Sequence, residues 1–254
     1  MEAAKLIWNS WENGKKIETL PDKIMPYSRN EAYEIQKQIE IFSKNTILGW
    51  KIAATSKDGQ NHIGVSGPLA GRIFKEKITN PRRVIALGYN KMRVAEPEFA
   101  FRIGSLIKPN KTLFTSEEVM ELVDILYLAI EFPDSRFNNF SSVGELNLIA
   151  DNACADQFVI SSPIEKDWKK IDFSNFKLSI SNSKFLYKGI GSNVLGDPRV
   201  ALTWLVNELS QNNIVLEKDM IVSTGTCSKP IPVVTGDIVT ANFGELGEIS
   251  VNLK

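Results

Sequence analysis

Two glutamates stand two residues apart in the otherwise largely apolar stretch RVAEPEFAFR, which covers residues 93–102. Side chains alternate along an extended strand, so Glu96 and Glu98 would share one face while Phe99 and Phe101 share the other. The aromatic face is predicted to pack in a core. The glutamates either face water, as one side of an antiparallel sheet often does, or point together at a cation.

A cation site would need a further ligand, because hard divalent ions prefer octahedral oxygen coordination. Glu131 is the candidate, since it follows an apolar run in YLAIEFPDSR, where a buried charge would have to be compensated. The alternative is an ion pair between Glu131 and Arg136 in the same segment. The residue types alone leave both interpretations open.

A lysine interrupts a second apolar run, LGWKIAAT. If Lys51 were buried between its apolar neighbours, we expect a depressed pKa that would let the side chain exchange protons near neutral pH. A solvated position on an alternating strand is the alternative.

Two further segments, LIADNACADQF and STGTCSKP, place small and polar residues directly after apolar runs, which is typical of binding loops and also of ordinary turns.

Several classes of function are disfavoured by what the chain lacks. His62 is the only histidine and no G-x-S-x-G elbow is present, so nucleophilic hydrolysis is disfavoured, and a surface position suits this histidine better. No G-x-G-x-x-G or G-x-x-x-x-G-K-[ST] loop occurs. Basic and acidic residues number 30 each, which gives no net attraction to nucleic acid or an anionic membrane, and a small-molecule partner is expected.

The compartment is predicted from the cysteines and the N-terminus. Two cysteines in 254 residues are too few for a disulfide framework. The first residues, MEAAKLIWNSWENGKK, contain no apolar leader, and no run of about 18 apolar residues follows. These features favour a cytoplasmic protein.

The elements that must position these residues are a mixture of helices and short strands. Helices are predicted up to about Asn45, one of them starting at a Ser28/Glu31 capping box. Another box, Thr115/Glu118, precedes EVMELVDILYL, and Asp197 caps GDPRVALTWLVNELSQNN. Strands are predicted at ILGWKIAA, RVIALG, VAEPEFAFRIG, LAIEF, the hairpin KLSISN/FLYKGIG, MIVSTG, DIVTANFG and GEISVNL.

This order of elements predicts an α+β fold with a mixed sheet and flanking helices, because the strands do not alternate with helices as in a doubly wound fold. A single domain is expected over residues 1–254, with the helical N-terminal region, residues 1–45, packed on it. Pro97 predicts that its strand lies at a sheet edge or carries a bulge, since proline removes a ladder donor.

The motifs, taken together and in order, resemble the 2-keto-4-pentenoate hydratases of the fumarylacetoacetate hydrolase superfamily. The resemblance runs from about Asn45 to the C-terminus through GWKIAATS, EPEFAF, AIEFPDSRF, LIADNACADQFVI, GSNVLGDPRVALTWLVNEL, STGTC and GDIVTANFGELGEISV. It implies a rolled mixed β-sheet, a homo-oligomer, and a divalent metal, Mg²⁺ or Mn²⁺, held by Glu96, Glu98 and Glu131.

The resemblance also implies roles for the remaining candidates. Lys51 falls on the lysine of the family's G-[YW]-K-I segment and becomes the catalytic residue. Asp151 and Asn152 fall in its ADN segment, and Gly225 and Thr226 in its TG[ST] loop, which suggests substrate binding.

The implied reaction adds water to 2-hydroxypenta-2,4-dienoate or a close analogue, giving a 4-hydroxy-2-oxo acid. The alternatives, in order, are a 4-oxalocrotonate-type decarboxylase, an acylpyruvate-type C–C hydrolase and a non-catalytic protein. Two departures from the family pattern bear on the substrate. Ser66 stands where family members often carry aspartate, and Asp156 stands where a small residue is expected.

Overall fold

The computed structural model describes residues 1–43 and 45–254. Within them the helices are α1 (Glu2–Asn13), α2 (Arg29–Ile39), α3 (Lys57–Ile63), α4 (Ser116–Glu121), α5 (Glu145–Ala150) and α6 (Pro198–Gln211). The strands are β1 (Ile47–Ala53), β2 (Leu69–Phe74), β3 (Ile78–Thr79), β4 (Val84–Ile85), β5 (Val94–Ile103), β6 (Val123–Phe132), β7 (Gln157–Ile160), β8 (Lys177–Ser181), β9 (Leu186–Ile190), β10 (Ile221–Thr226), β11 (Ile231–Pro232), β12 (Ile238–Asn242) and β13 (Glu248–Leu253).

The strands form two sheets. The larger follows the order β2-β1-β10-β5-β6-β7-β3, with β11 added to β5, and the smaller follows β4-β13-β12-β8-β9. Pairs β1/β10 and β3/β7 of the larger sheet are parallel, whereas β2/β1, β10/β5, β5/β6 and β6/β7 are antiparallel. The predicted mixed sheet with flanking helices is confirmed.

The start of two helices follows the predicted capping residues. The Thr115 hydroxyl and the Glu118 carboxylate satisfy each other's backbone donors, and the Asp197 carboxylate accepts from the N–H of Arg199 at 2.8 Å. At α2 the Ser28 side chain caps as predicted, but the Glu31 carboxylate accepts from the backbone of Tyr27, so the second half of that box is displaced by one residue.

Two predicted elements are wrong in extent. The segment EVMELVDILYL was predicted as a helix, yet α4 ends at Glu121 and β6 begins at Val123. Pairing with β5 over most of β6 outweighs local helix propensity, because it buries most of the strand's second half. RVIALG contributes only the two-residue strand β4, after which the chain turns to bond the C-terminus through Leu87 N–H and Lys254 O.

Pro97 was predicted to mark either a sheet edge or a bulge; the edge is wrong, and a bulge lies nearby. Strand β5 lies inside the larger sheet, between β10 and β6, and is not an edge. The β10/β5 pairing is irregular beside Pro97, because the register shifts between Ser223 and Thr226. The bulge therefore lies opposite Phe99, and Pro97 follows the last β10/β5 pair, Thr226 with Glu98, so its missing donor lies close to the bulge, beyond the paired residues of that ladder.

The aromatic face of β5 packs in the main core, as predicted. Phe99 meets Phe173 edge to face at 5.0 Å and Phe243 at 5.2 Å, and Phe101 meets Phe173 at 5.5 Å. Phe243 directly follows β12, so its contact packs the larger sheet against the smaller one, whose residue Ala241 is wholly buried. The opposite face of β5 therefore carries the glutamates.

The N-terminal helices close the core along β2 and β7. The Trp11 indole N–H donates to the Asp156 carboxylate at 2.8 Å, and Trp11 packs edge to face on Phe74 at 5.9 Å. Asp156 therefore has a structural partner that accounts for an acid where a small residue was expected. The main buried cluster runs from Ala3 to Leu253, and the single-domain assignment stays a prediction.

Candidate metal centre

Three glutamates meet on the face of β5 that points away from the aromatic core. Glu96 pairs directly with Glu131 across the β5/β6 ladder, and Glu98 pairs with Ala129 one step along the same face. One carboxylate oxygen from each glutamate lies within 4.8 Å of the others. The structure thus brings together the three predicted metal ligands, two from one strand and one from its neighbour.

The site is largely buried, which contradicts the interpretation that the glutamate face meets water. Glu98 and Glu131 are 0% exposed and Glu96 is half-buried. The face does not simply meet water, as one alternative proposed. Its other side chains near the glutamates include the buried Ala129 and Phe158.

The carboxylates lack enough partners to be buried alone. Oε1 of Glu98 and Oε2 of Glu131 have no hydrogen-bond partner among the described residues. Among residues 1–43 and 45–254, Lys51 is the cation in contact with the group, through an ion pair with Glu131, so within that part of the chain two negative charges stay uncompensated when all three acids are ionised. Burying unpaired charge is costly, and an all-oxygen set suits a hard divalent cation such as Mg²⁺ or Mn²⁺. The residues therefore fit the implied metal.

Burial and mutual repulsion disturb the protonation of all three acids. Burial, and then the neighbouring charge of Glu98, raise the pKa of Glu96 to about 7, against the attraction of Lys51. Burial is also the largest cause that raises the pKa of Glu98 and of Glu131 above the ordinary carboxyl range. A divalent cation would reverse this tendency, because it favours the ionised form.

Lys51 occupies the position predicted for a catalytic lysine, but its protonation differs from the expectation. The side chain is only 2% exposed; Nζ lies 3.0 Å from Oε1 of Glu131 and donates to the carbonyl of Ala153 at 3.2 Å. Burial alone would lower the pKa of Lys51, yet the charges of Glu131, Glu98 and Glu96 raise it. The predicted depression of the pKa is wrong because it considered only the apolar neighbours.

The Ala153 carbonyl, which accepts the hydrogen bond from Lys51, belongs to a strained turn. Asn152, Ala153 and Cys154 have φ values of 56°, 49° and 60°, a left-handed conformation that costs non-glycine residues of order 1 kcal/mol or more each. The Asn152 side chain holds the turn against β2, accepting from the Arg72 N–H at 2.6 Å and donating to the Arg72 carbonyl at 2.9 Å.

A glycine in β2 lets this turn approach the sheet. Gly71 pairs with Lys51 on β1, and a Cβ at Gly71 would lie 2.3 Å from the carbonyl oxygen of Asn152. Any other residue would push the turn away from β2. Gly71 and Asn152 together therefore support the carbonyl that contacts Lys51.

Asp151 is held in a buried ion pair with Arg136. Its carboxylate accepts from Nε of Arg136 at 2.5 Å, from the Arg136 N–H at 3.0 Å and from the Ser135 hydroxyl at 2.7 Å. The alternative pairing of Glu131 with Arg136 is wrong, because Asp151 takes that guanidinium. Both oxygens of Asp151 are thus engaged by protein donors, and a direct role with substrate stays a prediction.

The predicted TG[ST] loop reaches the site through its glycine. The Gly225 N–H donates to Oε2 of Glu98 at 3.0 Å. Gly225 has φ of 103°, and a Cβ there would lie 2.2 Å from the Thr55 hydroxyl oxygen, so glycine is needed. The half-buried Thr226 donates its hydroxyl to the Ser228 carbonyl at 2.9 Å, and its role in substrate binding stays a prediction.

Besides Gly71, a side chain and a backbone carbonyl at the site escaped the sequence prediction. The Ser223 hydroxyl donates to Oε2 of Glu98 at 2.5 Å, and the Ala153 backbone receives Lys51. A serine directly after the apolar run of residues 220–222 was a usable signal for Ser223, but a backbone carbonyl carries no sequence signal. His62 is exposed on α3, edge-on to Phe140 at 5.8 Å, as suits a surface position.

Comparison with known sequences gives relatives along the full chain. The 2-keto-4-pentenoate hydratase of Paraburkholderia xenovorans (strain LB400) is 26% identical, covering 100% of this chain and 94% of the relative. The 2-oxo-hept-4-ene-1,7-dioate hydratase of Escherichia coli is 26% identical over 87% of this chain and 85% of the relative. A 4-oxalocrotonate decarboxylase of Pseudomonas putida is 24% identical over 87% and 83%. No protein-family model matches the chain.

Comparison with solved structures identifies the fold. The 4-oxalocrotonate decarboxylase from Pseudomonas putida G7, complexed with magnesium and adipate, superposes with a TM-score of 0.90 at 21% identity, covering 100% of this chain and 96% of that one. The chain therefore has the fold of that decarboxylase, which it also shares with a putative fumarylacetoacetate hydrolase family protein from Yersinia pestis CO92, at a TM-score of 0.61 and 12% identity over 84% of this chain and 95% of that one. The hydratase relatives confirm the resemblance predicted from the sequence. In the described part of the chain, no helix has the length and apolar character to cross a membrane.

Proposed function

We propose that this protein is a metal-dependent hydratase that adds water to 2-hydroxypenta-2,4-dienoate, or a close analogue, to give a 4-hydroxy-2-oxo acid. Relatives named hydratases along the whole chain indicate a hydro-lyase. The observation that carries the proposal is the buried group of Glu96, Glu98 and Glu131, whose excess negative charge suits a divalent cation beside Lys51.

The donor set matches what this substrate class needs. A 2-hydroxydienoate presents a carboxylate and a C2 oxygen that together can chelate a hard cation. A bound Mg²⁺ or Mn²⁺ would supply Lewis acidity toward negative charge on that C2 oxygen. The burial of Glu98, Glu131 and Lys51 strengthens the electrostatic contacts in the site.

Hydration requires several proton movements. The C2 hydroxyl loses a proton and C5 gains one, which gives a conjugated enone. Water then adds its oxygen at C4 and a proton at C3. We assign Lys51 to hold or move the proton at the C2 oxygen, because its ammonium contacts the carboxylate of Glu131, which would hold the metal, and is oriented by Ala153.

We place the substrate against the two loops that flank the cluster. One carries Asp151 and Asn152 and the other carries Gly225 and Thr226, the four predicted binding residues. Asp151, Asn152 and Gly225 already donate or accept within the protein, so their support for substrate is expected to come through the shape of the loops. Thr226 supplies a half-buried hydroxyl.

A decarboxylase acting on 4-oxalocrotonate is the second candidate. Its specific support is the full-length structural likeness to a decarboxylase, at a TM-score of 0.90, together with a decarboxylase relative at 24% identity. Both reactions develop negative charge on the C2 oxygen of a 2-oxo or 2-hydroxy acid, so the same three glutamates serve either one.

Product analysis separates the two candidates. The Mg²⁺-loaded protein is incubated with 2-hydroxypenta-2,4-dienoate and, separately, with 4-oxalocrotonate, and the products are followed by proton NMR and by carbon dioxide release. We expect 4-hydroxy-2-oxopentanoate from the first substrate and little carbon dioxide from the second. Faster carbon dioxide release than hydration would reject the hydratase assignment, and turnover of neither substrate would favour a non-catalytic role.

The resemblance also implies a homo-oligomer, which we retain as a proposal. Sedimentation velocity of the purified protein tests it directly, since a monomer would have a mass of 28.4 kDa.

A further inference from the structure

The two oxygens of Glu98 have different environments. Oε2 accepts from the Ser223 hydroxyl at 2.5 Å and from the Gly225 N–H at 3.0 Å. Oε1 is buried and has no partner among the described residues. One oxygen is therefore held by two protein donors, and the other is buried without such a partner.

A bulge in β10 creates this asymmetry. Ser223 pairs with Ala100, and the next paired position is Thr226 with Glu98. Two residues of β10, Thr224 and Gly225, therefore stand opposite one residue of β5, which defines a β-bulge. The bulge directs the hydroxyl of Ser223 and the N–H of Gly225 to the same carboxylate oxygen. The hydroxyl of Thr224, which lies between them, donates instead to the Phe99 carbonyl at 2.9 Å.

Ser223 also lies at the centre of the site's strands. It pairs with Lys51 on β1 and with Ala100 on β5, and it is 0% exposed. Its hydroxyl has no solvent to compete for it. Its hydrogen bond to a carboxylate is of the charge-assisted kind, which is shorter and stronger than a neutral one.

We propose that Ser223 is a positioning residue that restricts Glu98 to a single ligand oxygen and so favours Mg²⁺ over Ca²⁺. Mg²⁺ requires near-ideal octahedral geometry with single oxygens at short distances, whereas Ca²⁺ accepts six to eight ligands and bidentate carboxylates. A carboxylate with one oxygen held by two donors cannot turn both oxygens to a cation. This inference rests on the proposed metal site and adds its selectivity.

The test compares Ser223→Ala with the matched control Thr224→Val. Each substitution removes one buried hydroxyl from the same strand, but only Ser223 donates to Glu98. Chelator-stripped proteins are titrated calorimetrically with MgCl₂ and with CaCl₂, after thermal melts show that each variant folds. Ser223→Thr retains a hydroxyl and serves as the rescue.

We expect Ser223→Ala to lower the affinity for Mg²⁺ by about tenfold, the usual effect of losing a residue that orients a ligand. The affinity for Ca²⁺ should stay or rise, because Glu98 can then offer both oxygens. The ratio of Mg²⁺ to Ca²⁺ affinity should be unchanged in Thr224→Val and largely restored in Ser223→Thr.

Equal weakening of both ions in Ser223→Ala, or an unchanged ratio, would overturn the proposal, since either result means that Ser223 does not control the coordination of Glu98. Failure of the wild-type protein to bind either ion would instead reject the metal site on which the proposed function rests. The readout uses no substrate, so the two failures are distinguishable.

Discussion

Glu96 and Glu131 stand directly opposite one another on neighbouring antiparallel strands, with Glu98 beside them. Like charges at such positions destabilise a sheet, and burial adds to the cost. A fold tolerates this arrangement when a cation compensates it, which is why the pair is central to the proposed function.

Glu96→Gln should therefore stabilise the metal-free protein at pH 8. The pKa of Glu96 is about 7 in the folded protein and lower in the unfolded chain. Ionising Glu96 therefore destabilises the fold, and this loss of unfolding free energy is small near pH 5 and reaches its full size above pH 7. The substitution removes a penalty of roughly 1–3 kcal/mol, which corresponds to a melting temperature several degrees higher.

Thermal melts in EDTA at pH 5 and pH 8 measure this effect, with the exposed Glu117→Gln as the control. The gain should appear at pH 8, shrink at pH 5, and be accompanied by loss of stabilisation on adding Mg²⁺. A lower melting temperature for Glu96→Gln at pH 8 in EDTA would show that the three acids are compensated within the protein itself.

Ala153→Gly should separate stability from activity. Glycine adopts the left-handed conformation without strain, so we expect the melting temperature to change by only a few degrees. The turn that presents the Ala153 carbonyl to Lys51 becomes less rigid, and kcat for dienoate hydration should fall by roughly tenfold with little change in KM.

The control for this variant is Asn213→Gly, which has a left-handed φ of 56° just after α6 and is exposed. Its kcat should match that of the wild-type protein. Unchanged kcat in Ala153→Gly would mean that the strained turn does not position Lys51.

Asp151→Asn is predicted to act on stability more than on substrate affinity. Asp151 and Arg136 form an ion pair at 2.5 Å in which both side chains are at most 1% exposed. Removing one charge leaves the other buried without a partner, at a cost of about 3–5 kcal/mol. Urea unfolding measures the loss, and KM of the folded fraction should change less than threefold. A large rise in KM at unchanged stability would place Asp151 at the substrate instead.

The two cysteines are predicted to be unreactive in the folded protein. Burial raises the pKa of Cys154 to about 12 and is also the largest cause that raises the pKa of Cys227. A disulfide reagent such as DTNB at pH 8 should modify neither thiol within minutes, and both in guanidinium chloride. Rapid modification without denaturant would show that the site opens readily to solvent.

The parts of the fold that were predictable depended on local chemistry. Alternation in VAEPEFAFRI placed Glu96 and Glu98 on one face, and the side chains of Thr115 and Asp197 marked helix starts. The length of α4 was not predictable, because the residues after Glu121 fit a helix until pairing with β5 is considered. Pairing with the distant strand β5 therefore determines that residues 123–132 form a strand and not a helix.

The candidate site was predictable in its ligands and less so in its supports. A glutamate at the end of a buried strand indicated Glu131, whereas the pKa of Lys51 depends on carboxylates distant in sequence. Ser223 acts through a bulge, and the bulge follows from pairing that local sequence does not specify. Contacts of this kind become visible only when the strands are placed side by side.

The most direct test of the central claim is the metal dependence of dienoate hydration. Protein stripped with chelator is mixed with 2-hydroxypenta-2,4-dienoate, and the ultraviolet absorbance of the dienoate is followed before and after adding Mn²⁺, with Glu98→Gln in parallel. We predict no enzymatic loss of absorbance until metal is added, then rapid loss in the wild-type protein and at least a hundredfold slower loss in Glu98→Gln. Equal rates with and without metal, or full activity of Glu98→Gln, would contradict a catalytic metal held by these glutamates.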